Sequence, residues 1–426
     1  MTFKLPEKLQ LGVASAATQI EGGDLNHSWN HWYQQGKIKD GSNPANANQH
    51  YQLFEKDIEI MASMNLKHYR LGIEWARIQP TQDSFDLEVL NHYKELILLL
   101  HKHQIKPLVT LHHFTNPMWF ETLGGWLEKE NVIHFLQFVD IVVRYFGDLV
   151  DEYITINEPN VFALNGYFDG SWPPGKKSMK DYIKVISHMA YAHIRSYRMI
   201  HSIHLNKNVK VSFAHHMRVF EPKSKTHPKD LAMAKFASFT FQSALSEMFI
   251  HGKFPKPFSN IGNVTKGVYV DFLAINYYSR SSIEGFEDDV RTKVAVNDLG
   301  WEIYPEGLLR VIRELYSVEP LPIYITENGT CDNTDSFRAK YIYDHLKVLT
   351  KTALPVLRYY HWCFVDNFEW LEGESARFGL VFNDYQTQER KIKESGYFYA
   401  QINKDGGVSQ QAYDHYVAHQ RYNYND

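Results

Sequence analysis

Two short segments that end in glutamate carry the clearest chemical signal in this sequence. The run Tyr-Ile-Thr-Ile leads into Asn157 and Glu158, and the run Ile-Tyr-Ile-Thr leads into Glu327 and Asn328. Runs of β-branched and aromatic residues indicate strands, so each glutamate is expected where a strand ends. Two carboxyl groups that face each other across one opening can cleave a glycosidic bond. A separation of about 5 Å favours double displacement through a covalent intermediate.

The two glutamates would need different protonation states. One carboxyl must be protonated at neutral pH to act as an acid, and the other must be ionised to attack. Residue types and spacing leave this assignment open. A single glutamate at a strand end is more often a helix cap or an ion-pair partner than a catalytic group. Two such glutamates, each beside an asparagine, favour the catalytic interpretation.

The elements that must position these glutamates alternate along the chain. Short apolar or aromatic runs alternate with longer amphipathic stretches, a pattern typical of a (β/α)8 barrel, or TIM barrel. The predicted strands are Leu9–Ser15, Lys67–Ile73, Pro107–Leu111, Glu152–Ile156, Val209–Ala214, Phe272–Ile275, Pro322–Thr326 and Val356–His361. We predict an α/β fold in which residues 1–426 form a single catalytic barrel domain with elaborated βα loops. Reactive side chains then belong at the carboxyl ends of the strands.

Helices and loops are expected between these strands. Apolar residues at three- and four-residue spacing predict the helices Gln52–Met64, Leu87–His103, Val132–Phe146, Lys180–His201, Ala232–Phe249, Pro305–Tyr316 and Ser336–Thr352. The segment from Gln401 onward is expected to close the ring. Segments rich in Gly, Pro and Asn are expected to be surface loops, mostly at the strand-end side of the barrel: Asp40–Asn48, Asp169–Lys176, Glu221–His227 and Glu284–Asn297.

The composition narrows the class of ligand. The net charge of −4 comes from 49 acidic and 45 basic residues, so no broad positive field is expected to attract nucleic acid or an anionic membrane. A small neutral carbohydrate is the expected substrate. Two cysteines, Cys331 and Cys363, do not make a disulfide framework, and residues 1–10 have no signal-peptide pattern. We expect a cytoplasmic protein without cofactor or bound metal, and a homo-oligomeric state remains open.

The motifs resemble those of glycoside hydrolase family 1, the β-glucosidase type. The similarity extends from Gln19-Ile-Glu-Gly, through the two glutamate motifs, to the segment Trp362–Leu380. In that family the Asn-Glu-Pro glutamate is the general acid/base and the Thr-Glu-Asn-Gly glutamate is the nucleophile. The resemblance therefore implies that Glu158 is the acid/base and Glu327 the nucleophile of a retaining β-glycosidase. It implies hydrolysis of terminal β-D-glucosyl residues, with β-D-galactosyl or β-D-fucosyl residues as further candidates.

The same resemblance implies further site residues. Those expected to support catalysis are Arg70, Asn276 and Tyr278, and those expected to bind substrate are Gln19, His113, Asn157, Trp301, Trp362, Glu369, Trp370 and Phe378. Some have other interpretations. His113 could be a core histidine, Arg70 could form a simple ion pair with Glu74, and Tyr277 could be a core aromatic. Asn276 and Tyr278 lie two residues apart, so they project to one face of a strand.

Substrate class depends mainly on Glu369. Family members that act on 6-phosphorylated sugars typically have a small residue here and a nearby Lys/Tyr clamp, because a carboxylate repels the phosphate. Glu369 therefore disfavours a 6-phospho-β-glycosidase, although Arg377 and Lys391 keep that alternative open. Cys363 and Phe114 depart from the family pattern, which usually has Ser and Trp, and either could alter the sugar preference.

The sequence bears on two other functions. The 22 histidines suggest a metal-dependent barrel hydrolase, but the only His-x-His pattern, His101 and His103, precedes the third strand and belongs at the opposite end of the barrel. In each of the adjacent pairs His112-His113 and His215-His216, only one ring can face inward. A catalytically silent carbohydrate-binding barrel usually lacks one of the two carboxylates, and this chain has both.

Overall fold

Eight parallel strands form a closed barrel. The computed structural model of the chain describes residues 2–205 and 208–426. The barrel strands, β1 to β8 in chain order, are Gln10–Ala14, His68–Gly72, Lys106–Thr110, Glu152–Asn157, Lys210–His216, Leu273–Asn276, Ile323–Asn328 and Val356–Trp362. Each strand pairs with the next in chain order, and β8 closes onto β1. The predicted (β/α)8 barrel and its eight strands are confirmed.

The strands are buried on both faces. Every residue of β2, β4, β6 and β7 is buried, because side chains fill the interior of the barrel while helices cover its outside. This burial explains why the strands appear in the sequence as continuous apolar runs rather than as alternating ones.

Long helices surround the barrel. They are His50–Ser63, Leu87–Lys102, Val132–Phe146, Met179–Ile203, Pro228–Ser238, Ala244–His251, Pro305–Val318, Arg338–Leu349 and Glu394–Asp405. The continuous helix predicted for Ala232–Phe249 was wrong: it begins at Pro228, which suits a first helical turn, and the π-helical turn Phe239–Ser243 interrupts it. The last helix of the ring begins at Glu394, before the expected Gln401.

Shorter elements decorate the ends of the barrel. Short α-helices are Ala17–Ile20, Ser28–Gln34, Trp75–Ile78, Met118–Thr122, Pro159–Ala163 and Gln410–Tyr416. The 3-10 helices are Gly125–Leu127, Lys129–Asn131, Gly147–Leu149 and Trp370–Glu372, and a second π-helical turn is Leu164–Asp169. Small antiparallel pairs are Phe3–Lys4 with Gly407–Val408, Ala295–Val296 with Asn423–Tyr424, and Val381–Asn383 with Arg390–Ile392.

One predicted loop contains regular structure. The strand Arg280–Glu284 pairs with Glu287–Asp289 across a turn and with Val219–Pro222 on its other side. Gly285 in the turn has a φ of +59°, a conformation that glycine adopts without steric cost. The expectation that all of Glu284–Asn297 forms a surface loop was therefore wrong.

Within residues 2–205 and 208–426, the helices include none with the length and apolarity needed to cross a bilayer.

Candidate active site

Irregular strand ends place Glu158 and Glu327 at one mouth of the barrel. The pairing of β4 with β5 shifts register between Ile154 and Asn157, and the pairing of β7 with β6 shifts between Ile325 and Glu327. Such irregularities redirect the side chains that follow them. Glu158 itself has a φ of +40° at the start of the helix Pro159–Ala163. A left-handed glutamate is uncommon, and such strained positions cluster at functional sites.

The two glutamates share a cavity of about 230 Å³, hereafter the catalytic cavity. Most of the other predicted site residues also line it. Those in its wall are His113, Tyr278, Trp301, Trp362, Glu369, Trp370 and Phe378. The other predicted residues, Gln19, Arg70, Asn157 and Asn276, are fully buried and make hydrogen bonds to the wall residues.

Both oxygens of Glu327 accept hydrogen bonds. Arg70 Nη1 lies 2.6 Å from Oε1, with the two side chains 0% and 4% exposed, and Tyr278 donates its hydroxyl to Oε2 at 2.6 Å. Burial and the charge of Glu327 raise the pKa of Tyr278 well above its usual value, so its hydroxyl remains a donor. Hydrogen bonds to the charged form favour ionised Glu327.

A chain of hydrogen bonds connects Glu327 to Glu158. Arg70 Nη2 donates to Asn157 Oδ1 at 2.6 Å, and Asn276 Nδ2 donates both to that oxygen, at 3.0 Å, and to Glu158 Oε1, at 2.7 Å. Thr326 fixes the Asn276 amide by donating to its Oδ1 at 2.7 Å. The network fixes the positions of the two carboxyl groups relative to each other, because every linking side chain is fully buried.

The structure resolves the alternatives for Arg70 and Tyr277. Glu74 accepts hydrogen bonds from the Thr18 hydroxyl and the Ala76 N–H, while Arg70 pairs with Glu327 instead. Tyr277 is buried and donates its hydroxyl to a backbone carbonyl outside the catalytic cavity, as a core aromatic would.

His113 is the inward-facing ring of its pair. Its Nε2 lies 2.9 Å from Asn157 Nδ2, which leaves Nε2 as the acceptor, and burial lowers the pKa of His113 well below its usual value. Its ring lies 5.7 Å from both Trp362 and Trp370 and nearly parallel to each. His112 faces away and contacts Asn116.

Gln19 and Glu369 form a polar corner beside these aromatics. Gln19 Nε2 donates to Glu369 Oε2 at 3.2 Å, and Gln19 Oε1 is buried without a hydrogen-bond partner in the described part of the chain. Burial raises the pKa of Glu369 to about 8. The two departures from the family pattern lie close by. Cys363 Sγ accepts from Asn367, which in turn accepts from Gln19, and the Phe114 ring lies 5.2 Å from Trp370.

Several wall residues were not identified from the sequence, among them His216, Arg218 and Trp172. His216 at the end of β5 places Nδ1 2.9 Å from Glu158 Oε1, and Arg218 Nε donates to His216 Nε2 at 3.1 Å. Trp172, from a loop, contributes an aromatic wall. Strand parity indicated that one of His215 and His216 faces inward, so it contained the signal for His216. Trp172 lies in an irregular segment without periodicity, and no pattern pointed to it.

The two carboxyls titrate as a pair. Burial raises the pKa of Glu327 to about 7; Arg70 opposes this increase and the charge of Glu158 adds to it. For Glu158, burial also acts to raise the pKa, but when the His216 ring is protonated its charge and hydrogen bond, together with the Asn276 amide, outweigh burial and lower the pKa.

The hydrogen bonds indicate which carboxyl holds a shared proton. Because Arg218 Nε donates to His216 Nε2, the ring is assigned as neutral with its proton on Nδ1. A neutral ring exerts no charge on Glu158, so burial then favours the protonated form of that carboxyl. Arg70 and Tyr278 meanwhile favour ionised Glu327.

The histidines considered as metal ligands are dispersed. His101 and His103 lie at the end of the helix Leu87–Lys102, where His101 Nε2 contacts the Leu149 carbonyl at 2.8 Å. Across residues 2–205 and 208–426, no three His, Cys, Asp or Glu side chains are grouped as metal ligands would be.

Comparisons with known proteins agree with this geometry. A family model described as Glycosyl hydrolase family 1 matches residues 1–408. Beta-glucosidase A of Thermotoga maritima is 30% identical, over 95% of this chain and 99% of that protein. Beta-galactosidase of Pyrococcus woesei is 29% identical, over 95% and 98%. The solved structure of a beta-glycosidase from Pyrococcus horikoshii has a TM-score of 0.90 and 32% identity, and the match covers 98% of both chains.

Proposed function

The chain belongs to glycosyl hydrolase family 1 and is a glycoside hydrolase, and on that premise we propose that it removes terminal, non-reducing β-D-glucosyl residues from small β-glycosides and oligosaccharides. β-D-Galactosyl residues, in keeping with the name of the beta-galactosidase from Pyrococcus woesei, are proposed as further substrates. β-D-Fucosyl residues are proposed as well. The observation that carries the proposal is the buried network from Glu158 through Asn276, Asn157 and Arg70 to Glu327.

We assign the chemistry to the two glutamates. Glu327 attacks the anomeric carbon while Glu158 gives its proton to the departing glycosidic oxygen, and a glycosyl ester forms on Glu327. Glu158, now ionised, takes a proton from water, which attacks the anomeric carbon from the opposite face to the ester. The sugar leaves with its original configuration, and both carboxyls return to their starting states.

The supporting side chains set the charge of Glu327 and the position of Glu158. Arg70 and Tyr278 keep Glu327 ionised before attack. When the ester forms, Glu327 loses its negative charge and accepts weaker hydrogen bonds from Arg70 and Tyr278. Because these two donors bind the carboxylate more strongly than the ester, they also favour cleavage of the ester. Asn276 holds Glu158 in reach of the leaving oxygen.

The sugar is proposed to lie between the polar corner and the tryptophans. Gln19 Oε1, a buried acceptor without a partner among residues 2–205 and 208–426, and Glu369 suit the outer hydroxyls, while His113 and Asn157 suit those nearer the reacting carbon. Trp362 and Trp370 offer flat faces to the C–H groups of the ring. Trp301 is 37% exposed, and its ring lies 5.9 Å from Phe378, so the pair suits the aglycone at the entrance.

Two basic residues that could have bound a sugar phosphate, Arg377 and Lys391, are not part of the wall of the catalytic cavity. Arg377 pairs with Asp366 at 3.1 Å, and Lys391 lines a separate surface pocket rather than the catalytic cavity. Glu369, once ionised, would repel a phosphate on the sugar's 6-position.

A panel of nitrophenyl substrates tests the proposed specificity. We expect kcat/KM to be highest for the β-glucoside, lower for the β-galactoside and β-fucoside, and at least about 100-fold lower for β-glucoside 6-phosphate. Glu369→Ser is expected to reduce the ratio of kcat/KM for the β-glucoside to kcat/KM for β-glucoside 6-phosphate. Glu372→Gln, a control at another carboxylate of the cavity wall, should leave the ratio unchanged. Preference of the native protein for the 6-phosphate would overturn the proposal.

The pH dependence of turnover follows from the shared proton. As the pH rises and the pair loses this proton, Glu158 can no longer protonate an alkyl leaving group, so kcat/KM is expected to fall. His216 Nδ1–H stabilises ionised Glu158. His216→Phe should therefore raise the pKa of Glu158 and move the basic limb of the pH profile to higher pH.

His216→Asn is the matched control for this experiment. The Asn Nδ2 group can donate from about the position of His Nδ1, so its basic limb should remain close to that of the native protein. An unshifted limb in His216→Phe, at an unchanged unfolding midpoint, would contradict the role given to His216.

A further inference from the structure

A basic side chain outside the catalytic pair contacts the histidine beside Glu158. Arg218 lies two residues beyond the end of β5 and lines the catalytic cavity. Its Nε donates to His216 Nε2 at 3.1 Å, and His216 Nδ1 lies 2.9 Å from Glu158 Oε1. The three side chains form a row that leads from a guanidinium that is 33% exposed to a buried carboxyl group.

Two neighbouring segments hold Arg218 in this position. Its backbone N–H donates to Gln242 Oε1 at 3.0 Å, and Gln242 is buried in a π-helical turn. The guanidinium lies over the ring of Phe241, in the same turn, at 5.4 Å from the ring centre. Nη1 donates to Asp288 Oδ2 at 3.2 Å, in the strand Glu287–Asp289. An exposed ion pair alone fixes a side chain weakly, so the ring and the turn are needed to direct Nε at His216.

This hydrogen bond selects one protonation state of His216. A guanidinium is always protonated and has no acceptor, so His216 Nε2 must accept with its lone pair while the contact is made. A proton on Nε2 would bring a second donor and a second positive charge to the same 3.1 Å contact. The neutral ring therefore carries its proton on Nδ1, the nitrogen that faces Glu158.

The charge of His216 in turn affects the charge of Glu158. A protonated ring lowers the pKa of Glu158 through its charge and its hydrogen bond, which removes the proton that an acid must give. A neutral ring exerts no such charge, and burial then favours the protonated carboxyl group. The contact made by Arg218 on the far side of the ring thus bears on the protonation of Glu158.

We propose that Arg218 is a positioning residue for the acid/base: by donating to His216 Nε2 it keeps the ring neutral, and the neutral ring leaves the proton on Glu158. This inference rests on the proposed function, in which Glu158 protonates the leaving oxygen. Arg218 acts through His216 and takes no part in proton transfer itself.

The other ionisable groups around the row are the same in the native protein and in the variants that test it. Burial lowers the pKa of His215 to about 3, so this neighbouring ring stays neutral. Tyr278, whose ring lies 5.8 Å from that of His216, keeps its proton because its pKa is raised well above the usual value. The remaining groups near Glu158, Arg218 and the Gln242 amide are Arg70, Arg280, Asp288, Asp289, Glu314 and Glu327.

Arg218→Met tests this role through the pH profile of kcat/KM for methyl β-glucoside. His216 Nε2 is then free to take a proton, so Glu158 should ionise at lower pH. We expect the basic limb to move down by about one pH unit and kcat/KM near neutral pH to fall about tenfold. A dinitrophenyl glucoside needs no proton, so its kcat/KM should fall by less than about twofold, which also shows that the variant is folded. If Arg218 acted on Glu158 only as a nearby cation, its removal would move the limb to higher pH, and that result would overturn the inference.

A double variant shows whether the effect passes through His216. In Arg218→Met, His216→Asn the side chain at position 216 cannot take a proton, so the basic limb should not move to lower pH. The same downward shift with and without the histidine would count against the inference. Arg291→Met is the matched control: this arginine is 30% exposed and pairs with Glu221 at 2.8 Å, so its replacement should leave the pH profile unchanged. A shift equal to that of Arg218→Met would assign the effect to loss of any positive charge.

NMR of protein labelled with ¹⁵N-histidine tests the contact without turnover. The ring signals of His216 are identified by their absence in His216→Asn. Between about pH 6 and 8, the native ring should be protonated on Nδ1 alone, whereas in Arg218→Met both nitrogens should be protonated at the lower pH. A doubly protonated native ring, or the same single protonation in both proteins, would overturn the inference.

Failure of this inference and failure of the proposed function give different results. A native protein that hydrolyses nitrophenyl β-glucoside, with no shift of the basic limb in Arg218→Met, overturns the inference and leaves the proposed function standing. If the native protein does not hydrolyse nitrophenyl β-glucoside, the proposed function fails. The NMR measurement then still decides whether Arg218 keeps His216 neutral.

Discussion

Replacing Glu327 with Ala is expected to lower kcat for nitrophenyl β-glucoside by about 10⁴- to 10⁶-fold, because the variant lacks the carboxylate proposed to form the glycosyl ester. The side chain is 4% exposed and both of its oxygens are held, so the native carboxylate is fixed at the site of attack. Steady-state release of nitrophenol measures the loss. Azide, a small external nucleophile, should restore turnover in the space left by the carboxylate.

Two measurements distinguish the loss of the nucleophile from a loss of folding. Removing Glu327 leaves the buried Arg70 guanidinium without its carboxylate, which can cost about 3–5 kcal/mol of stability, so the unfolding midpoint of the variant must be measured beside its activity. Glu74→Gln is the matched control, since Glu74 is a buried carboxylate after β2 that contacts Thr18 rather than Glu327. Its kcat should stay within about tenfold of native. A folded Glu327→Ala protein with near-native kcat would refute the assignment.

Replacing Glu158 with Ala should give a loss that depends on the leaving group. Alkyl glucosides need a proton at the departing oxygen, so their kcat/KM is expected to fall by about 10³- to 10⁴-fold. A dinitrophenyl glucoside leaves without protonation, and its kcat/KM should fall by less than about tenfold. The basic limb of the pH profile should disappear for this substrate, because the group responsible for it is gone.

The control for Glu158 is a second carboxylate in the same wall. Glu372 lines the catalytic cavity but pairs with Lys39 at 2.6 Å, so Glu372→Gln should change the two substrates by the same small factor. Equal losses for the alkyl and dinitrophenyl glucosides in Glu158→Ala would show that this residue is not the acid.

Much of this fold could be predicted from the sequence patterns of the individual strands. Most residues of the barrel strands are buried, so a strand stands out as a short apolar run between polar segments, and its end locates the chemistry. Residues such as Asn276 and Tyr278 were placed on one face by their two-residue spacing, and the structure brings them to Glu158 and Glu327 respectively. The local sequence pattern is sufficient to predict where a side chain points when that direction depends only on the residue's own strand.

The rest depends on contacts between distant segments. Parity allowed Arg70 to pair with Glu74 as readily as with Glu327, and the choice is made by the closure of the barrel, which brings β2 and β7 to one centre. The register shifts before Asn157 and Glu327 leave no trace in the sequence. Arg218 lies beyond the end of β5, where strand parity no longer applies, so its place in the wall of the catalytic cavity could not be predicted.

The anomeric configuration of the azide adducts tests the central claim most directly. If Glu327 is the nucleophile and Glu158 the acid/base, azide must enter Glu327→Ala from the face that Glu327 left open, whereas in Glu158→Ala it must attack the glycosyl ester from the opposite face. Proton NMR of the isolated products should therefore show an α-glucosyl azide from the first variant and a β-glucosyl azide from the second. The reverse pair of anomers would exchange the two roles, and the same anomer from both variants would contradict double displacement at this pair of carboxyls.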